Sequence, residues 1–362
     1  VTTAVVREDV AAVLAAPVDW SRLTGRTVLV TGSTGMIGQY VVHTLAELGR
    51  RTGPLRVVAL TRRVERGRAL FGQEVDDGLV DLLVQDVTMS IETPLPVHVV
   101  VHAASPADPV AYRTDPVGVI RANVTGTDNV LSLAAAHGAT VCLLSTMEVY
   151  GRPLEAGAGP VLRLAEDALG TLDSLDPRSA YPLSKRMAEN LCVAHREQYG
   201  VPYRIARLSH TYGPGMELDD PRVQAYFLRQ ALSGSDIVLQ SDGTLRRTYT
   251  YVSDAVSALF HLLCADDDLT CNVADESAQV SIRELAELVL RHGAPSGQAT
   301  VRVAGGPGAG LPPASGVVLD CGRLRTLGWR PRVDLSTGIA RTVAHHRAVH
   351  RLPDGERLTC ST

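Results

Sequence analysis

The spacing of apolar positions changes period along the chain, and each change marks an element. Thr27-Val-Leu-Val-Thr31 is a short continuous apolar run that ends at Gly32, the pattern of a strand buried on both faces. From Met36 to Leu48 the apolar residues recur at helical spacing instead. Further apolar strands are predicted at Arg56 to Thr61, Leu79 to Gln85, Val97 to His102 and Thr140 to Ser145, with helical patterns in most of the gaps. This alternation predicts an α/β fold, a doubly wound parallel sheet with helices on both faces and its ligands beyond the carboxyl ends of the strands.

Past Leu208 the pattern becomes irregular. A helix is predicted near Arg222 to Leu232 and further short elements around Ile282 to Arg291 and Leu335 to Ala348, which suggests a smaller C-terminal substrate-binding lobe. The expected division is a helical extension over 1–26, packed on the first strand, and a dinucleotide-binding domain over 27–208 to which 240–265 return. The lobe would comprise 209–239 and 266–350, with Gly305 to Pro313 as a linker and a frayed tail over 351–362.

The turn after the first strand carries Gly32, Gly35 and Gly38. The first glycine permits the tight turn, the second lets a pyrophosphate approach the backbone, and the third lets helix and strand pack closely. The amides of the helix start, at Met36 and Ile37, would bind the anion. This is the Rossmann arrangement for a dinucleotide. NAD is the expected cofactor, but the second strand ends Thr61-Arg62-Arg63, without the carboxylate that usually takes the ribose 2′-hydroxyl of NAD, so NADP stands as the runner-up, with Arg62 able to touch phosphate. Asp86-Val87 would meet the adenine. Ala103, Ala104 and Ser105, small residues after the fourth strand, would let the cofactor lie flat. His102 is expected to be a hydrogen-bonded structural histidine, and Asn123 to fix a backbone kink within its helix.

Charge and composition narrow the partners. A formal charge of -4 without a basic run argues against nucleic acid. No apolar run reaches the roughly 18 residues that span a bilayer, and the charged start does not resemble a signal peptide, so no membrane partner is expected. Six scattered cysteines without Cys-x-x-Cys spacing suggest a reducing, cytoplasmic setting and no metal site.

Two segments carry the candidate chemistry. The fifth strand runs into Ser145-Thr-Met-Glu-Val-Tyr-Gly151, which brings hydroxyls and a carboxylate to the sheet edge beside the expected nicotinamide. Tyr181 and Lys185 lie four residues apart, on one helical face. An ammonium beside a phenol favours phenolate, so Tyr181 is expected to have a lowered pKa and to act as general base on a sugar hydroxyl, while Lys185 also holds the nicotinamide ribose. Lys185 is the only lysine in a chain that otherwise uses arginine. Arg222, Arg246 and Arg247 could clamp a nucleotide diphosphate.

Taken jointly, these segments resemble the extended short-chain dehydrogenase/reductases, in particular the NAD-dependent nucleotide-sugar epimerases and dehydratases. The resemblance spans nearly the whole chain. It rests on Gly-x-x-Gly-x-x-Gly at 32–38, Ser145-Thr-x-Glu-Val-Tyr-Gly151, Tyr181-x-x-x-Lys185, Arg207-Leu-Ser-His-Thr-Tyr-Gly-Pro-Gly-Met216, Arg247-Thr-Tyr-Thr-Tyr-Val-Ser-Asp254 and Leu327-Gly-Trp329. Within that family, His102-Ala-Ala-Ser-Pro-Ala107, Asp176-Pro-Arg178 and Asp220-Pro-Arg-Val223 are similar to the UDP-glucuronate decarboxylase subgroup. The resemblance implies Thr146, Tyr181 and Lys185 as a catalytic triad, a transient 4-keto sugar with the cofactor recycled, and a homodimer. The dimer would pair through the helix carrying Lys185 and the helix before the fifth strand.

The sequence departs from the family at two substrate positions. His210 replaces a substrate-touching asparagine, and Met147 stands where the decarboxylases have serine and the 4,6-dehydratases aspartate. Ser105, Met147, His210, Arg222 and Arg247 are thus the candidate substrate contacts. Glu148 would have no task in a simple 4-epimerase and points to C5 or C6 chemistry. Met147 cannot supply the acid that dehydration needs at C6, whereas decarboxylation of a 4-keto hexuronate needs none, since the ketone accepts the electrons. Decarboxylation therefore leads, ahead of 4- or 5-epimerisation; dehydration, 4-ketoreduction and a nonenzymatic dinucleotide-binding regulator rank below.

Overall fold

The computed structural model describes residues 2–154, 161–294, 299–304 and 316–351. The predicted linker at Gly305 to Pro313 and the tail from Leu352 lie outside them. Seven parallel strands form the main sheet: β1 (Thr27–Thr31), β2 (Arg56–Thr61), β3 (Val80–Val84), β4 (Val99–His102), β5 (Thr140–Thr146), β6 (Tyr203–Leu208) and β9 (Leu269–Val273), in the order β9-β6-β5-β4-β1-β2-β3. Order reverses between β1 and β4, which opens a crevice at their carboxyl ends.

Side chains alternate across this sheet, as the period of two requires. Val28, Val30, Val101 and Cys142 enter a core beneath α1 (Ala4–Leu14), α2 (Met36–Thr52) and α8 (Val252–Leu263). Leu29, Val100, Leu143 and Ile205 enter a second core with Val130, Leu131, Ala188 and Cys192, from α5 (Pro116–His137) and α6 (Ala180–Tyr199). Every residue of α8 is buried, because other elements surround the helix on all sides.

The segment 240–265 adds no strand to the main sheet, whose last strand comes later in the chain. Leu269–Val273, expected in the lobe, pairs with β6 from Leu269↔Arg204 to Val273↔Leu208 and closes one edge. The lobe has its own small sheet of β7 (His210–Tyr212), β8 (Arg246–Tyr251) and β10 (Gln279–Ser281), beside α7 (Val223–Leu232), α9 (Ile282–Gly293) and α10 (Leu335–Val349).

The N-terminal helix does not rest on β1 as expected. It packs chiefly on α2, α8 and α10, because its polar anchor lies there. Asp9, 2% exposed, accepts hydrogen bonds from Tyr40 of α2 and Tyr251 of β8, both at 2.8 Å, and pairs with Arg341 of α10 at 2.8 Å. Burial pushes its carboxyl pKa up and these three partners oppose the rise, so one carboxylate ties the nucleotide domain to the lobe.

Candidate active site

The glycine turn has the geometry its sequence predicts. Gly32 has φ +63°, and a Cβ there would stand 2.6 Å from Ala103 C and Ala104 N, so the turn lies directly against the chain leaving β4. A Cβ on Gly38 would overlap the Gly32 carbonyl oxygen. Gly35 caps α2 without a side-chain bond, which leaves the amides of Met36 and Ile37 facing outward for an anion. The cradle exists only because these positions lack side chains, and it fits a pyrophosphate-bearing dinucleotide. Beyond the ends of β2 and β3 Arg62 is exposed and lies near Asp86, whose Oδ1 accepts from Thr88 N at 2.9 Å and Thr88 Oγ1 at 2.7 Å; these bonds, first the backbone one, hold its pKa below the ordinary range. Val87 turns its side chain into the core.

His102 is structural, as expected. Its ring bonds Thr31 Oγ1 at 2.7 Å and Thr127 Oγ1 at 3.1 Å, and burial, with Lys185 nearby, pulls its pKa down to about 3. Asn123 fixes no kink, since α5 is unbroken from Pro116 to His137. Its amide instead spans two elements: Ser105 Oγ donates to Oδ1 at 2.7 Å, and Nδ2 donates to Ser184 Oγ at 2.9 Å. Ser184 Oγ donates to the Tyr181 carbonyl at 2.9 Å, so the β4 loop is coupled to the helix that carries the phenol.

Thr146 ends β5 and caps a 3-10 turn over Met147–Tyr150, its Oγ1 accepting from Glu148 N at 3.2 Å. Helix α6 presents Tyr181 and Lys185 to the same strand end. Lys185 Nζ donates to Leu144 O at 2.8 Å, and burial draws its pKa down to about 8. The phenol departs from the expectation of a lowered pKa. Burial pushes Tyr181 up to about 12, Glu148 adds to the rise, and the hydroxyls of Thr146 and Tyr112 act against it. Spacing brings Lys185 onto the right face, but its ammonium is drawn to the strand carbonyl.

Tyr112 joins the site without any signal in the sequence pattern. It lies in a one-turn helix, α4 (Ala111–Thr114), and its ring stacks on Tyr181 with centroids 4.5 Å apart and planes 13° apart. Four residues show no periodicity, so only the presence of an aromatic in the loop after β4 could have signalled it.

Glu148 opens into the cleft, where the surrounding walls raise its pKa and Arg247 opposes the rise. Arg247 donates to Arg246 O at 3.3 Å, and among the described residues it pairs with no carboxylate. Arg222 also lies close to Tyr112, Tyr181 and His210, but its fork is taken up by Asp220, with Nη2 2.6 Å from Oδ2. Arg246 faces away to Glu284 at 3.2 Å. His210 stacks obliquely near Tyr249, its Nδ1 has no hydrogen-bond partner, and burial lowers its pKa to about 4, so it is a neutral imidazole. Met147 packs against the core and offers no acid. No metal-holding cluster occurs among the described residues.

A nucleotide cradle thus leads to a buried tyrosine and lysine, and the chain from residue 28 to 274 matches the model of the NAD dependent epimerase/dehydratase family. The protein belongs to that family. It is an NAD-dependent enzyme. Among curated family members, UDP-glucuronic acid decarboxylase 5 of Arabidopsis thaliana is 35% identical over 264 residues, 72% of this chain and 73% of that protein. UDP-glucuronic acid decarboxylase 1 of Xenopus tropicalis is 29% identical over 324 residues, 89% and 72% of the two chains. Among solved structures, a UDP-glucose 4-epimerase of Thermotoga maritima superposes with a TM-score of 0.74 at 22% identity, covering 90% of this chain and 99% of that one. A UDP-glucuronic acid 4-epimerase of Bacillus cereus gives 0.71 at 21%, covering 89% and 99%. These likenesses show the fold. No helix among the described residues is long and apolar enough to cross a membrane.

Proposed function

We propose that the enzyme decarboxylates UDP-glucuronate through a transient 4-keto sugar. Gly32, Gly35, Gly38 and the amides of Met36 and Ile37 would hold NAD, which when bound supplies hydride exchange at C4 in a closed cycle. The Lys185 ammonium, together with the positive charge of bound NAD, would favour the phenolate of Tyr181, which takes the proton of the C4 hydroxyl while Thr146 holds the same oxygen. Arg247, with its fork free of carboxylates among the described residues, suits the C6 carboxylate. Glu148, whose pKa is raised, would return a proton to the carbon from which carbon dioxide departs. The carrying observation is that Glu148 and Arg247 stand within each other's field in the Tyr181 cleft without bonding, beside a methionine where dehydration would need an acid. The similarity to named UDP-glucuronic acid decarboxylases supports the same reading.

Incubation with NAD and a panel of UDP, dTDP, GDP and ADP sugars tests it by product mass. UDP-glucuronate is expected to lose about 44 mass units, one carbon dioxide, with no build-up of reduced cofactor. Unchanged mass with altered retention would overturn decarboxylation in favour of epimerisation.

A homodimer through α5 and α6 belongs to the same proposal. Val117 and Ile120 of α5 and Met187 of α6 are 55%, 43% and 48% exposed, an apolar stripe that one chain leaves uncovered. Light scattering at micromolar concentration should give twice the chain mass, and a monomer would refute the pairing. The five described cysteines are free, which suits a cytosolic location, to be checked by cell fractionation.

A further inference from the structure

We propose that Glu189 is a positioning residue for the reaction, a fixed buried carboxylate that keeps Lys185 charged without touching it. The inference rests on the active-site reading of Lys185. Lys185 is 3% exposed, and among the described residues it has no ion-pair partner; its ammonium meets only the Leu144 carbonyl at 2.8 Å. A charge so placed tends to neutralise unless a compensating charge is nearby. Glu189 lies one helical turn beyond Lys185 on the same face, 8% exposed, and its field is the largest influence holding the lysine pKa up.

The carboxylate cannot swing away. Its Oε1 accepts from Ser145 Oγ at 2.5 Å and Arg207 Nε at 3.0 Å, while Oε2 accepts from Arg207 Nη2 at 2.7 Å. Arg207 is itself held by Tyr150 Oη at 3.0 Å and the Glu166 carbonyl at 2.7 Å. Ser145 directly precedes Thr146, so the same bond that fixes Glu189 also fixes the strand end that presents the triad. The other titratable or charged groups around Lys185 are Tyr181, Arg186 and Cys192 on α6, His102 on β4, Cys142 on β5, Glu148 and Tyr150 on the 3-10 turn, Arg207 on β6, and Asp128 on α5 farther along against His195. His102 is neutral at working pH and the thiols of Cys142 and Cys192 are each pushed up to about 12, so Glu189 is the anion on Lys185's own helix face.

The test uses the single lysine of the chain. Full-length enzyme grown on isotope-labelled lysine gives one side-chain lysine resonance, and its pH titration reports Lys185 directly. In Glu189→Gln the midpoint should fall by about one pH unit or more, a tenfold change in the protonation equilibrium. The alkaline limb of kcat/KM should move down with it, and Glu189→Asp should restore both. Arg207→Gln frees the Glu189 carboxylate from its clamp and should also move the midpoint, which keeps the proposal testable if Glu189→Gln does not fold. An unmoved midpoint in a folded variant of either kind overturns the proposal. Uniform loss of activity at all pH values with an unmoved midpoint would mean a purely structural role. If Lys185→Met keeps its turnover, the active-site reading fails, while the titration still decides whether Glu189 sets the lysine charge.

Discussion

Replacing Tyr181 with phenylalanine is expected to lower turnover about a hundredfold or more, the scale of a lost general base, while NAD affinity stays close to that of the parent. The ring is retained, so its stack on Tyr112 and its packing in α6 persist and the fold should be unchanged. Only the hydroxyl that faces Thr146 is lost. In the ligand-free protein the phenol, at about 12, is fully protonated near neutrality, and Glu148 helps to keep it so. Tyr181 and Glu148 therefore titrate as a coupled pair: a proton on Glu148 makes the phenol easier to ionise. Steady-state turnover of UDP-glucuronate and a cofactor titration on the same variant check the expectation, and near-parental turnover would remove Tyr181 from the mechanism.

Gly38→Ala should cost both stability and cofactor binding. The added Cβ meets the Gly32 carbonyl oxygen, a backbone atom that also accepts from Gly35 N at 3.0 Å, so no side-chain rotation can relieve the overlap. Helix α2 has to lift from β1, at roughly 1–3 kcal/mol as for other overpacked sites. The amides that would meet the pyrophosphate lift with it, and NAD affinity should fall tenfold or more. Denaturant unfolding and cofactor titration measure the two losses separately. Parental values in both would show that the turn is looser than its contacts imply.

How far such features could be read from sequence depended on whether their causes were local. The strand Arg56–Thr61 was legible to the residue, because an apolar run is bounded by Pro54 on one side and Arg62-Arg63 on the other. Leu269–Val273 was not, since five residues that alternate through Thr270 and Asn272 do not say which sheet they join, and the partner lies some sixty residues earlier; only that pairing makes it an edge of the main sheet. The Tyr181–Lys185 spacing correctly placed both side chains on one helical face. It carried no information about burial, which governs the phenol, or about Glu148, which arrives from another element. Arg222 was read as an open clamp from its charge, yet a carboxylate two residues away already fills its fork. Asn123 was placed in a helix correctly and given a structural role, but the two serines it joins come from segments 18 residues before and 61 residues after it.

The Asp9 contacts bear on where this enzyme can be cut. The stretch matched by the family model opens at residue 28 and closes at 274, leaving both Asp9 and Arg341 outside it, while Tyr40 and Tyr251 remain within. A fragment trimmed to those borders would keep two buried phenols whose shared acceptor had gone. A fragment trimmed only at its start would strand a guanidinium as well. The unit of folding is thus longer than the stretch that the family model matches, and at its two ends Glu8 and Asp9 of the first helix grip the same guanidinium of the last.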